Sequence, residues 1–336
     1  MKTLQNVLFL SCVLLLSTPL AHARTYTVGI IPYIPAGEFV IADVKGFYKQ
    51  EGLAVNSIYY TSTGDWVRAL SHNKLDFSGL WNATQMDMYY RGAKAKRLAL
   101  MSYDSNDYKM IIKKGATPKS LKGKNIAVFS DYFGTHWFLQ NYMSRQGLSM
   151  RDINIVEMNN QEAYKNFSIG RVDGMIFNGK YMDQALNDKT GEIAKIDHEL
   201  YLAATTGGPS YFINDHPIPR KALKKFLRAW VKSMIWISKD ENAAEYKQIL
   251  RDAYSNSLDL VGIESDEDYT KRNPRNMLIP LKDMYRINKQ TPSMFTALNN
   301  IHKDIGYPNS KPYKPKDMFD NSLILEVLEE FNLHNE

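Results

Sequence analysis

The 336-residue chain contains a single cysteine, Cys12. No G-x-S-x-G, Walker A, H-E-x-x-H or G-x-G-x-x-G pattern occurs, so the signatures of serine hydrolases, P-loop nucleotide hydrolases, zinc proteases and dinucleotide binders are all missing. His72, His136, His198, His216 and His302 stand singly, without metal-ligand spacing, which predicts no metal site and no cofactor. There is no solenoid repeat and no low-complexity segment. Basic residues are many (Lys94 to Arg97, Lys113-Lys114, residues 119–124 and 221–228) but interspersed with acids, giving a formal charge of only +6. Such scatter reads as a solvated surface, and nucleic acid is not an expected partner.

What the N-terminus does have is an export pattern. Met1-Lys2 is a short positive start, residues 7–16 (VLFLSCVLLL) are apolar, and Ala21-His22-Ala23 is a small-x-small end. An apolar run of about ten residues suits a signal peptide and is too short to span a bilayer. The expectation is cleavage after Ala23, with the mature chain beginning at Arg24 in the periplasm. Residues 9–12 faintly resemble a lipoprotein acylation box, but a cut there would leave the better site behind it. Loss of the leader removes Cys12, and with it disulfides, thiolate metal sites and cysteine nucleophiles. The mature fold must then be held by its core alone.

Alternating strand and helix patterns follow. Residues 27–31 are β-rich and stop at Pro32 and Pro35; residues 38–50 read as one helix ending at Gly52; residues 53–60 form a second strand. A helix over 64–70, a strand over 75–80 and a helix over 82–91 complete a β-α-β-α-β-α unit. Strand character continues over 98–102, turn residues occupy 103–107, and extended chain resumes over 108–113. The pattern then repeats: strand 125–129, helix 135–145, strand 153–158, helix 161–169, strand 174–177. Residues 187–195 read as a polar connector, and 200–204 and 210–214 as strands around Gly207-Gly208. From Pro219 the chain is helical, with core-facing stripes through Trp230 and Ile237, over 277–281 and over 294–301.

Three stretches in this order resemble a known family. They are Gly29 to Tyr33 followed by residues 42–53 (ADVKGFYKQEGL), residues 122–128 (KGKNIAV) leading to Gly134-Thr135-His136, and Gln161-Glu162-Ala163 leading to residues 169–174 (IGRVDG). The chain resembles the exported solute-binding proteins of ABC importers, in the nitrate/sulfonate/taurine and thiamine-pyrimidine-binding group, over about residues 25–237. The resemblance implies a type II periplasmic-binding-protein fold, α/β and two-lobed, each lobe a mainly parallel sheet flanked by helices. It implies one lobe from residues 24–103 plus 206–336 and the other from 104–205, with the ligand in the cleft between them. It further implies a monomer that captures a small molecule and delivers it to a permease and ATPase at the inner membrane.

Ligands of open parallel sheets bind beyond the carboxyl ends of the strands. The candidates there are Tyr33, Glu38, Thr63, Gly64, Trp81, Asn82, Tyr103 and Asp104 in the first lobe and its crossover. The second lobe and the return crossover offer Ser130, Phe133, Gly134, Thr135, Asn178 and Thr205. In sulfonate-binding relatives the Gly134-Thr135-His136 element serves an anion at a helix N-terminus, although Asp131 departs from that pattern. Tyr33, Trp81, Tyr103 and Phe133 suit stacking on a flat or cationic ligand, with Glu38, Asp65 or Asp104 available to an amino group; core packing and helix capping are the alternative roles of the same residues. Trp66, inside a helix, is expected to pack. Gly207-Gly208 is the expected hinge. A nitrogenous heterocycle, an amine or a sulfonate all remain open as ligand. Two other readings use the same fold: a sensory module for a membrane receptor, and an enzyme, which the lost cysteine disfavours.

Overall fold

The structure is a computed structural model that describes residues 24–31, 36–82, 94–101, 109–129, 146–177, 180–194, 207–213, 216–258, 265–271, 273–289 and 314–334, with positions 85, 88, 89, 139, 140, 142–144 and 263 between them. Its strands form two five-stranded sheets of matching design. In the first, the order is β2 (Val55–Tyr59), β1 (Tyr26–Ile30), β3 (Phe77–Trp81), β10 (Gly207–Phe212), β4 (Ala95–Arg97). In the second it is β7 (Asn154–Met158), β6 (Asn125–Phe129), β8 (Gly174–Phe177), β5 (Lys109–Lys113), β9 (Gly191–Ile193). Strands β1, β2 and β3 are mutually parallel, as are β6, β7 and β8, whereas β10 and β5 run antiparallel to their neighbours. The architecture is therefore two-lobed α/β with mixed sheets, a periplasmic-binding-protein fold.

Burial on both faces explains the hydrophobic runs. All five residues of β3 are buried, with Phe77 in one core cluster and Leu80 and Trp81 in the other. The larger cluster lies under α1 (Gly37–Val44), α5 (Arg220–Ser238) and α7 (Ser322–Glu330); Phe39, Phe226, Trp230 and Ile324 meet there, and Phe77 stacks on Phe226 with ring centroids 3.9 Å apart. The smaller cluster lies under α2 (Thr63–Ser71), around Trp66 and Leu70. In the second sheet the period of two is plain: Met110 and Ile112 face one cluster and Ile111 the other, while Ile176 is flanked by the oppositely directed Met175 and Phe177. Helices α3 (Asn160–Ser168) and α4 (Lys180–Asn187) cover the second of these faces through Phe167 and Met182.

Several expectations needed correction. The helix anticipated over 38–50 is broken at Gly46, whose φ of 67° is left-handed, so α1 ends at Val44 and a single turn Phe47–Gln50 follows. Strand character over 98–102 falls instead at β4, three residues earlier. The polar connector over 187–195 contains β9, an edge strand too short and polar to announce itself. Residues 277–281 do not continue a helix: Pro274–Met277 is a 3-10 turn, and Leu278 is extended. Met277, Leu278 and Ile279 are nonetheless buried. The anticipated strand over 200–204 and the stripe over 294–301 lie outside the described residues.

Candidate ligand-binding site

Because β1, β2 and β3 are parallel and in register (Ile30 beside Tyr59, Gly29 beside Ser78), their carboxyl ends share one edge. Strand β10 enters the sheet at that edge, with Gly207 opposite Trp81. In the second sheet Phe129, Met158 and Phe177 end on one edge, and β5 begins there, with Lys109 opposite Phe177. Both passages of the chain between the sheets, 102–108 and 195–206, therefore depart from or arrive at carboxyl edges. Where they meet the first sheet they are tied together: the Met101 N–H donates to the Gly207 carbonyl at 2.8 Å, and the Ile279 N–H donates to the Met101 carbonyl at 2.9 Å.

Of the fourteen sequence-derived candidates, Glu38, Thr63, Gly64, Trp81 and Asn82 are among the described residues. Tyr33, Tyr103, Asp104, Ser130, Phe133, Gly134, Thr135, Asn178 and Thr205 lie outside the described residues. Thr63 and Gly64 open α2, whose N-cap Ser62 accepts from the Asp65 N–H at 3.1 Å. The Asp65 carboxylate is itself engaged, by the Ser62 hydroxyl at 2.8 Å and Arg68 at 2.6 Å, and both hold its pKa below the ordinary value.

The remaining three candidates are interior side chains. Trp81 is 2% exposed and packs edge-on against Trp66, centroids 6.2 Å apart, so both indoles belong to the core under α2. Asn82 is fully buried and accepts from Arg97 Nη1 at 2.8 Å. Glu38 is also fully buried; Trp230 Nε1 donates to its Oε1 at 3.4 Å, and burial pushes its pKa up to about 8.

Arg97 is what the sequence reading missed. Residues Lys94 to Arg97 read as surface charge, yet Arg97 is 0% exposed and burial lowers its pKa to about 9. Strand alternation was the available signal: in β4, Ala95 and Arg97 point inward and Lys96 is only partly covered. Gln85, also buried, donates to the carbonyls of Ala95 (3.1 Å) and Met318 (2.6 Å) and so ties β4 to the C-terminal segment.

The Gly207-Gly208 pair is ordered within β10. A Cβ on Gly208 would stand 1.8 Å from the Ala99 carbonyl oxygen, so this position is glycine because another backbone passes against it. A cavity of about 590 Å³ lies elsewhere, lined by Met234, Ile237, Asn273, Arg275, Leu278 and Leu281 among others. Arg275 spends its donors there on the carbonyls of Ile237 and Ser238 and on Asp240. None of the candidate residues lines it. Among the described residues no group of three or more His, Cys, Asp or Glu side chains is placed to hold a metal, and no helix is long and apolar enough to cross a membrane.

Comparison with known proteins adds the following. The model of the NMT1-like family matches residues 21–251. A Bacillus subtilis (strain 168) protein named for binding aliphatic sulfonates is 25% identical over 301 residues, 87% of this chain and 85% of that one. Among solved structures, the alkanesulfonate-binding protein SsuA of Xanthomonas axonopodis pv. citri, bound to MOPS, superposes with a TM-score of 0.62 at 14% identity, covering 89% of this chain and 98% of that one. The periplasmic nitrate-binding protein NrtA of Synechocystis PCC 6803 gives a TM-score of 0.60 at 15% identity, covering 93% and 90%.

Proposed function

Because the chain belongs to the NMT1-like family, we propose that it is the exported solute-binding component of an ABC importer, holding a small sulfonate-type oxyanion between its lobes without transforming it. The observation that carries this reading is topological: both interlobe passages and the parallel strands of both sheets converge on carboxyl edges, the place where open α/β sheets bind ligands. Each lobe supplies half a site, and closure of one on the other is a hinge motion.

An oxyanion is favoured over an amine by where the acids are. Of the three carboxylates available to an amino group, Asp65 is committed to Ser62 and Arg68, and Glu38, on α1, is fully buried and bonded to Trp230. The names of the relatives, two for sulfonates and one for nitrate, support the same class. In this reading Ser130, Gly134 and Thr135 offer backbone and hydroxyl donors to the anion, Tyr33, Tyr103 and Phe133 cover the rest of the ligand, and Trp81 and Asn82 stiffen the edge from behind. Residues 1–23 act as the cleaved leader, which places the mature protein in the periplasm.

The test is thermal unfolding of residues 24–336 against a panel of short alkanesulfonates, nitrate, aminopyrimidines and amino acids. A ligand that binds only the folded form stabilises it by about 2.7 kcal/mol at a hundred times its Kd. The expected result is a rise with one or more alkanesulfonates and none with amines. A rise confined to amines or aminopyrimidines would overturn the ligand class, and no rise at all would overturn the binding role.

A further inference from the structure

Four oxygens deep in the first lobe have no hydrogen-bond partner among the described residues: Glu38 Oε2 and the hydroxyls of Tyr48, Tyr246 and Tyr254. None of these residues is more than 3% exposed. They come from α1, from the turn Phe47–Gln50, and from α6 (Ala243–Ala253) with its C-cap Tyr254. Glu38 is within electrostatic reach of each of the three phenols. The Tyr246 hydroxyl lies against the first residue of α1: a Cβ built on Gly37 would be 2.3 Å from it.

Buried polar groups are nearly always partnered, and a buried carboxylate without a cation costs far more than a buried carboxylic acid. No cation compensates Glu38 among the described residues packed around it. On its own helix Asp43 is taken by the Tyr59 hydroxyl of β2 at 2.8 Å. From α5 come Trp230 and Phe226, which are uncharged. From α6 come Tyr246 and Tyr254, with Tyr269 and Arg275 beyond them, and Arg275 is held by carbonyls and Asp240.

We propose that Glu38 is a proton-loaded switch at the start of α1. Protonated, its carboxyl is uncharged and can stay buried against α5 and α6 with no counter-charge. Ionised, it needs water and loosens α1 from α6. Tyr33, a candidate ligand residue, stands four positions before α1 in the sequence, so this contact anchors the chain beside it. The switch deepens the binding reading by making the site's framework proton-dependent, yet its test needs no ligand, so either idea can fail alone.

The sign follows from linkage. Burial puts the folded-state pKa at about 8 against 4.5 for the free side chain, so the folded form holds the extra proton between those values and stability falls as pH rises through that window. The experiment compares unfolding midpoints of the wild-type mature chain and Glu38→Gln, ligand-free, from about pH 5 to about pH 8. The amide cannot ionise, so the variant should gain on the wild type by on the order of 5 °C across the window. A constant gap would overturn the switch. Infrared spectra of the wild type give a second readout that does not depend on the variant folding. A carboxylic-acid carbonyl band should persist near neutral pH, where other carboxyls are ionised, and vanish above about pH 8. Its absence near neutral pH would equally overturn the proposal.

Discussion

Gly208 and Ala99 are in backbone contact: a Cβ added to Gly208 would fall 1.8 Å from the Ala99 carbonyl oxygen and 2.8 Å from its carbonyl carbon. The neighbour is main chain, so it cannot rotate away. Gly208→Ala should therefore split β10 from the segment after β4, at a cost of ~3 kcal/mol or more. Gly207→Ala, with its nearest contact at 3.2 Å, should cost well under half as much. Denaturant midpoints of the two variants decide this; equal, small effects would show that the strand has slack.

Trp81 separates core from ligand duty. Its indole is 2% exposed and rests against Trp66, so Trp81→Ala should lose about 3–5 kcal/mol of stability. Full stability with lost binding would instead assign Trp81 to the ligand.

On the outer surface α5 and α7 are laced by charge. Glu330 accepts from Arg228 Nε at 2.6 Å and pairs with Lys224 at 2.7 Å, and these two cations, Arg228 first, pull its pKa down to about 2. A depressed carboxyl pKa contributes stability above the unfolded value of 4.5 and loses it as pH falls toward 2. The pair is part-exposed, which keeps its worth within ~1 kcal/mol. Glu330→Gln should thus lower the unfolding midpoint slightly at neutral pH, with the difference fading in acid or in molar salt.

The N-terminal strand is pinned by Arg24, which pairs with Asp76, donates to the His216 carbonyl at 2.9 Å and lies over the Tyr26 ring at 4.9 Å. Asp76 also accepts from the Thr27 N–H at 2.9 Å. Arg24→Ala removes one partner of a carboxylate that is only 7% exposed, which should cost about 1–3 kcal/mol. Hydrogen exchange at the β1 amides should quicken accordingly; unchanged exchange would mean the strand holds without its clamp.

These features were unequally visible in the sequence. The strands Asn125–Phe129 and Gly174–Phe177 fall where their β-branched and apolar runs put them, because a strand buried on both faces must be apolar throughout. The antiparallel insertion of β5 and β10 carries no local mark, since it depends on chain returning from the other lobe rather than on the residues themselves. Gly46 looked like one more residue of an opening motif, and only its left-handed φ shows it ending α1. Arg97 and Glu38 were misread because charge predicts exposure, and what buries them is contact with distant elements: Asn82 for the one, α5 and α6 for the other.

The most direct test of the binding account is a crystal structure of residues 24–336 with the alkanesulfonate that stabilises it best. The account predicts the sulfonate between the two sheets' carboxyl edges, touching residues of both lobes, with donors from 130–135 on its oxygens. A sulfonate seated instead in the cavity beside Met234 and Arg275, or on one lobe alone, would contradict it.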